Sequence, residues 1–299
     1  MHFVISIPLD PNLAEYIGKK GSENSITYYN RKVDDNVIVG LAPSSVEERF
    51  YAVAESMLIA DQIVVSTAAP DRLFGEILIG CSLIDRHVIF TKDNDIAQYL
   101  KGIEVKNHEF AAKEEVLKKI LDWKATAAVH QGSVRVDIDK AFPVKGLGTV
   151  ALGVVTRGTV KAHDELYHSG SGKKVMVRSL QAQDVDITEA GIGTRVGIVL
   201  KGVESDEIDK GDLLTPVKID PADRITAKIT VSSMAKEEFK PGIAYDFIHN
   251  FSYAKAVFQE MKDGIATFKL AKAISAETGD TFLLMRDRMP RIFACGAIL

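Results

Sequence analysis

The sequence predicts an α/β domain with a doubly wound sheet, followed by two small β-barrels, and three observations predict it. Through about residue 125, short apolar runs alternate with stretches of helical periodicity. From Val134 onward the texture changes to short runs of Val, Ile, Leu and Thr broken by glycine turns. A proline-bearing joint, "PVKIDPAD", then divides this second region in two. The expected domains are residues 1–125, 126–219 and 220–299.

In the first domain, "HFVISI" and "NVIVG" are apolar strands. "SSVEERFYAVAESMLIA" predicts a helix opening on two overlapping capping boxes, Ser44 with Glu47 and Ser45 with Glu48, with Val46, Phe50, Val53 and Met57 at helical spacing. "DQIVVST" and "RHVIFT" are strands, and "DRLFGEILIGCSL" is a helix. "DIAQYL" and "EFAAKEEVLKKILDW" are the closing helices, and the Ala-rich "KATAAVHQGS" is the linker. "GKKGS", residues 18–22, predicts a helix C-terminus, its lysines facing the dipole and Gly21 ending the helix.

The second region supplies "VRVDI", "GTVALGVV", "DELYH", "VMVRSL" and "EAGIGTRVGIVL" as strands and hairpins, and the third "RITAKITVSS", "ATFKLAKAISA", "TFLLMRD" and "RIFACGAIL". Gly146 and Gly148 invite comparison with a dinucleotide fingerprint, but the next glycine is Gly153 and a strand follows instead of a helix. A bend between barrel strands is the expectation there.

Composition narrows the function. The 299 residues carry a net charge of −4, which argues against a general polyanion binder without excluding a local basic face. Cys81 and Cys295 have neither metal-site nor disulfide-framework spacing, and no apolar run approaches membrane-spanning length, so a cytoplasmic protein that does not enter membranes is expected. The seven histidines are scattered; His163 and His168 suit no paired role and are expected at solvated positions.

"AFPVKGLGTVALGVVTRGTVKAHDELY" and the later "GTRVGIVLKGVESDEIDKGDLL" resemble, in order and spacing, the second domain of elongation factor Tu and its SelB-like relatives. The segment from "DRITAKITV" to "RIFACGAIL" is similar to the third domain of that family, and the first region resembles its P-loop GTPase domain, shortened. Within the family, "GKKGS…ITYYN", "RSLQAQDVDI" and "RIFACG" are most like the archaeal SelB-like paralogues.

The resemblance implies three nucleotide loops, and each departs from its pattern. The phosphate loop needs glycines, a lysine and a hydroxyl; after the first strand stand Pro8, Leu9, Asp10 and Pro11, which remove N–H donors and place a negative charge there. The Asp-x-x-Gly element is replaced by Gly40, Leu41, Ala42, Pro43 and Ser44. The guanine loop keeps Thr91 and Lys92, but Asn94 stands where the aspartate is wanted; a one-residue slip would use Asp95, and the alternative is a helix N-terminus capped by Asp93 or Asn94. No nucleophile, base or metal cluster replaces the missing chemistry, so a binding protein without catalytic residues or cofactor is expected, with GTP and magnesium as the alternative.

Function is expected in the second domain. In the resembling family a pocket there receives the amino acid and terminal adenosine of charged tRNA. "VDIDKAF" and "GTRVG" match the pocket segments, which assigns Asp139, Lys140 and Arg195 as polar groups around the aminoacyl moiety and Phe142 as a stacking wall. Val134, Val136 and Ile138 alternate inward, placing Asp137 and Asp139 on the other face. The competing expectation is a surface Asp139–Arg195 ion pair with Phe142 in the core. The implied partners are aminoacyl-tRNA and, through it, the ribosome, for a protein acting as a monomer. The alternatives are a GTP-binding factor with an unconventional site, or a decoy docking on a translation partner.

Overall fold

The computed structural model describes residues 1–67, 69–92, 96–123, 132–235 and 237–299. The first domain is a seven-stranded sheet of β1 (His2–Ser6), β2 (Lys19–Glu23), β3 (Ile26–Val33), β4 (Asn36–Pro43), β5 (Gln62–Val65), β6 (His87–Thr91) and β7 (His108–Ala111), in the order β2-β3-β4-β1-β5-β6-β7. β4, β1, β5, β6 and β7 are parallel, and β3 runs antiparallel between β2 and β4. Parallel strands must be covered on both faces, and the central β5 and β6 are buried along their whole length. Helices α1 (Pro11–Ile17) and α4 (Val116–Asp122) cover one face, packing Leu13, Ile17 and Ile120 on Ile5, Val64 and Ile89. Helices α2 (Tyr51–Ile59) and α3 (Arg72–Leu83) cover the other, with Met57, Phe74 and Ile77 on Ile63, Val88 and Phe90.

The second domain contains β8 (Arg135–Val144), β9 (Gly148–Arg157), β10 (Thr159–Lys161), β11 (Glu165–His168), β12 (Lys174–Ala182), β13 (Val185–Ile187), β14 (Glu189–Gly191), β15 (Arg195–Lys201) and β16 (Leu213–Thr215). Six of these close a barrel in the order β11-β16-β8-β9-β15-β12, with β12 returning to β11. Val136, Ile138, Val155, Val177, Val196 and Ile198 fill it. Gly146 (φ +83°) and Gly148 (φ +98°) lie in the tight β8–β9 hairpin turn, where a left-handed backbone favours glycine and nothing resembles a phosphate cradle. The third domain closes β17 (Ala222–Val231), β18 (Ala244–His249), β19 (Ser252–Lys262), β20 (Ile265–Ile274), β21 (Thr281–Met285) and β22 (Ile292–Ile298) into a second six-stranded barrel around Phe247, Phe258, Phe268, Phe282 and Phe293.

Several local expectations are corrected. "GKKGS" does end a helix, but at Gly18 instead of Gly21: α1 stops at Ile17 with Gly18 as its C-cap, and Lys19–Glu23 is the exposed edge strand β2. Its lysines blunt a sheet edge, which hides any alternation of apolar residues. The capping boxes do not form. Helix α2 starts only at Tyr51 with no side-chain cap, Ser45 has a left-handed backbone, and the Ser44 hydroxyl lies 3.0 Å from that of Thr27. "DIAQYL" shortens to a 3-10 helix over Ile96–Leu100, and "EFAAKEEVLKKILDW" begins as strand β7 before α4. Gly40–Pro43 form no loop and complete β4. His168 is fully buried, its Nε2 2.9 Å from Asp212 and its Nδ1 2.8 Å from the Ser171 hydroxyl, whereas His163 is exposed. Residues 124–131 of the expected linker lie outside the described residues.

The three domains are packed together. The core under α2 and α3 continues into Ile248, Leu283, Met285 and Ile292 of the third domain, so every residue of α2 after Tyr51 is buried. The buried Glu76 of α3 accepts from the backbone amides of Arg291 and Ile292. Gly211 of the second domain meets Ser252 of the third so closely that a Cβ would lie 2.6 Å from the Ser252 Cα. From the second domain Lys210 reaches α2 and donates to both oxygens of Glu55 at 2.8 and 2.7 Å, its Nζ also 3.5 Å from the Ser25 hydroxyl and 5.8 Å from the Phe251 ring. Burial pushes the Glu55 carboxyl from 4.5 up to about 7, against the attraction of Lys210 and with a small push from Asp139. Desolvation outweighs the ion pair, as it commonly does for buried charges.

The raised value fixes a sign. A carboxyl that holds its proton more tightly when folded contributes stability that is fully present below about pH 4.5 and is lost as pH rises through about 7. The wild type is expected to lose about 1 kcal/mol of stability between about pH 6 and about pH 8 that Glu55→Gln does not lose. Urea titrations across that range check it; identical slopes in both proteins would refute the assignment.

Candidate functional site

The assigned residues gather at the seam between the first two domains. β8 and β15 flank β9, so side chains from them must cross a strand to meet, a span of about 10 Å. Arg195, at the start of β15, is long enough. A register shift between Ile138 and Lys140 accompanies Asp139 on β8, and Arg195 Nη2 donates to Asp139 Oδ2 at 2.8 Å. Val136 and Ile138 point into the barrel as expected. Asp137 and Asp139 leave its other face, yet both are buried, because other domains cover that face.

The Asp139–Arg195 pair is therefore no surface ion pair: the side chains are only 7% and 12% exposed. Tyr28, on β3 of the first domain, lies over the guanidinium with the Arg195 Cζ 3.5 Å from its ring centroid. Burial drives the Tyr28 phenol well above its ordinary pKa, with Arg195 working against the shift and Asp139 adding to it. Lys140 and Phe142 stand apart from this pair. Lys140 is exposed, and its ammonium lies 5.8 Å from the ring of half-buried Phe142. Among the described residues no hydrogen bond or ion pair joins the two halves of the assigned set.

Sequence reasoning missed Tyr28, Glu55 and Lys210. Tyr28 sits in "ITYYN", a stretch with strand-like β-branched and aromatic content. Nothing local marks it as the residue that covers Arg195 from 167 positions away. Glu55 and Lys210 read as ordinary surface charges on a helix and a turn.

The loop after β1, where the resemblance implies a phosphate loop, already holds a negative charge of its own. Asp10 caps α1, accepting at Oδ1 from the Leu13 amide at 2.9 Å and at Oδ2 from the Ser66 hydroxyl at 2.7 Å, with Lys113 Nζ 3.3 Å away. Burial pushes this carboxyl up, but Ser66, the Leu13 amide and Lys113 together hold it below its ordinary value. Pro11, at the first helical position, offers no N–H. Asp10 therefore takes the Leu13 amide and the Ser66 hydroxyl in the stretch where the resemblance implies a phosphate loop. Thr91 is fully buried at the end of β6 and Lys92 is exposed beyond it; Asn94 and Asp95 lie outside the described residues.

The other end of β8 joins the third domain. Buried Arg135 donates to Asp137 at 3.0 and 3.1 Å and to Asp280 at 2.8 Å, and His249 Nε2 lies 3.0 Å from Asp280. Asn250 donates to Asp137 at 2.7 Å. A polar cavity of about 350 Å³ adjoins this network where the three domains meet, bordered by Arg86, His87, Arg135 and His249. It opens beside the N-terminal ends of β5 and β6, away from the C-terminal strand ends where open α/β sheets hold their ligands.

The family of elongation factor Tu domain 2 matches residues 148–215. An uncharacterised protein of Methanocaldococcus jannaschii is 29% identical over 280 residues, spanning 90% of this chain and 90% of its own. The selenocysteine-specific elongation factor of the same organism is 29% identical over 196 residues, 58% of this chain but only 42% of that protein. In fold, the crystal structure of translation elongation factor SelB from Methanococcus maripaludis in complex with a GTP analogue superposes with a TM-score of 0.84 at 22% identity, covering 100% of this chain and 79% of that one. The chain thus carries an elongation factor Tu domain 2 match inside its first barrel and shares the SelB fold of a mixed sheet followed by two closed six-stranded barrels.

Proposed function

We propose that the chain is a translation-factor-like protein that binds aminoacyl-tRNA through its second domain and works without a GTP switch. The observation that carries this reading is a contrast. The second domain keeps the barrel, with a family match over residues 148–215 that includes Arg195 and starts just after Asp139, Lys140 and Phe142, whereas the loop after β1 holds Asp10 where the resemblance implies a phosphate-binding cradle. Relatives named as selenocysteine-specific elongation factors, and one solved with a GTP analogue, supply the kind of partner.

On this reading the second domain contributes recognition in two parts. Exposed Lys140 and half-buried Phe142 offer a cation and a ring to the terminal nucleotide, whose base stacks on an aromatic face. Arg195 and Asp139 supply a paired cation and anion for a polar aminoacyl group. Ribosome contact follows from carrying a charged tRNA and is part of the same proposal.

Two measurements check it. Titration of the purified protein with fluorescent GDP and magnesium is expected to show no saturable binding at micromolar concentrations; saturation there restores the GTP-binding alternative. Protection of the aminoacyl ester from hydrolysis, assayed over a total charged-tRNA pool, is expected for the wild type and should weaken with salt as counterion release predicts. Arg195→Ala and Asp139→Ala, with folding verified by thermal melts, are expected to cost about 2–5 kcal/mol of affinity. If wild type protects no charged tRNA, the carrier reading falls and the decoy moves ahead. If protection survives both substitutions unchanged, the pocket lies elsewhere.

A further inference from the structure

The seam over Arg195 leaves polar atoms unpaired. Tyr28 Oη, Arg195 Nη1 and Thr194 Oγ1 are buried and find no hydrogen-bond partner among the described residues. Tyr28 is 1% exposed and Thr194 2%. The Tyr28 hydroxyl sits beside the Asp139 carboxylate without a well-formed hydrogen bond to it. Buried polar groups are nearly always satisfied, and one that is not calls for an explanation. Two of the three, Tyr28 Oη and Arg195 Nη1, belong to one contact, the ring lying over the guanidinium, and the third is on the residue before Arg195. Phenylalanine at position 28 would give the same apolar contacts and the same ring face to the guanidinium without orphaning a hydroxyl. The side chain is therefore badly suited to being only a filler between Ile26, Val154 and Phe251, its neighbours in the buried cluster.

We propose that Tyr28 is an internal plug: it covers the Arg195 guanidinium that an aminoacyl group would use, and it must swing aside to admit one. This rests on the second-domain reading above. The geometry gives the plug its means of release. In the closed state the ring holds the guanidinium face while Nη1 stays unpaired. With the ring aside, an entering polar group can reach the edge of the guanidinium and accept from Nη1 in its plane, and the displaced phenol regains water. Both changes satisfy groups that the closed seam leaves unsatisfied, so ligand binding and opening favour each other. The plug also explains how the assigned pocket residues come to be sealed. Access is gated by one side chain of the first domain, and Lys140 and Phe142 remain outside the gate.

Fluorine NMR of the protein labelled with 3-fluorotyrosine tests the movement without tRNA, Tyr28→Phe assigning the signal by its loss. A second, solvent-exposed Tyr28 environment is expected, and one buried signal at every temperature short of unfolding overturns the plug. Ester protection tests its consequence. Removing a plug raises the fraction of open protein, so Tyr28→Ala is expected to tighten binding of charged tRNA about threefold or more, with Tyr28→Leu, which restores apolar packing, as the second variant if Tyr28→Ala fails to fold. If wild type protects and neither variant improves on it, the plug falls and the carrier reading stands. If no protein protects any charged tRNA, the carrier reading falls, and the fluorine spectrum alone decides whether Tyr28 opens.

Discussion

Helix α2 is enclosed by the sheet, the second domain and the third domain at once, and most of the architecture can be followed from that enclosure. Its sheet-facing side packs in the usual way of an α/β layer, but its outer side lies against Ile248, Leu283, Met285 and Ile292 instead of water. A helix buried all round must have its polar groups met by partners. Ser56 donates to the Val53 carbonyl at 2.8 Å and lies as close to the Ser6 hydroxyl, and Glu55 receives Lys210. Separating the domains would expose a helix with no polar face, and this is the physical reason the closed three-domain arrangement is the structure of the chain.

Three acidic side chains show how the chain meets its own donors. Asp10 takes the first-turn amide of α1, the Ser66 hydroxyl and Lys113. Glu76 takes two amides of the third domain, and Arg291, which supplies one of them, lays its guanidinium 3.6 Å from the Phe50 ring centroid. Glu55 takes Lys210. In each case a carboxylate from the first domain meets one or more donors, and for Glu55 and Glu76 the donors come from another domain. The first domain thus uses charge to hold its own loop and its neighbours in place.

Much of the fold was legible because the signals were local. β1, β5, β6 and α3 carry unbroken apolar runs or a proper N-cap, Asp71 accepting from the Phe74 amide at 2.9 Å. The barrels announced themselves through glycine turns at fixed places. The misread elements share one cause, that tertiary position overrode local pattern. β2 is polar because it is an edge, β7 is short because it is the other edge, and α2 starts late because the chain needs residues 44–50 to turn from β4. In the candidate site, the pairing of Asp139 with Arg195 was foreseeable from two segments of one barrel. Tyr28 was not, since its role exists only after two domains dock. A buried tyrosine hydroxyl without a partner has no signature in sequence.

A carrier protein must release what it carries, and nucleotide hydrolysis is one way to time that release. It requires a loop that changes shape with the state of the nucleotide. The stretch where such a loop would stand is strand here, Gly40–Pro43 paired residue by residue with Ile26–Tyr29 of β3. It is tied through the adjoining Thr27–Ser44 hydroxyl contact. Tyr28 belongs to that same β3–β4 ladder, directly opposite Leu41. On the proposed reading, the segment that would have sensed a nucleotide has become the fixed mount of the side chain that guards Arg195. Control of the site then passes from a mobile loop driven by a cofactor to one ring competing with the ligand for a guanidinium. Occupancy in such a design is set by charged-tRNA concentration and by the cost of opening, so the complex would turn over at equilibrium instead of being committed by hydrolysis.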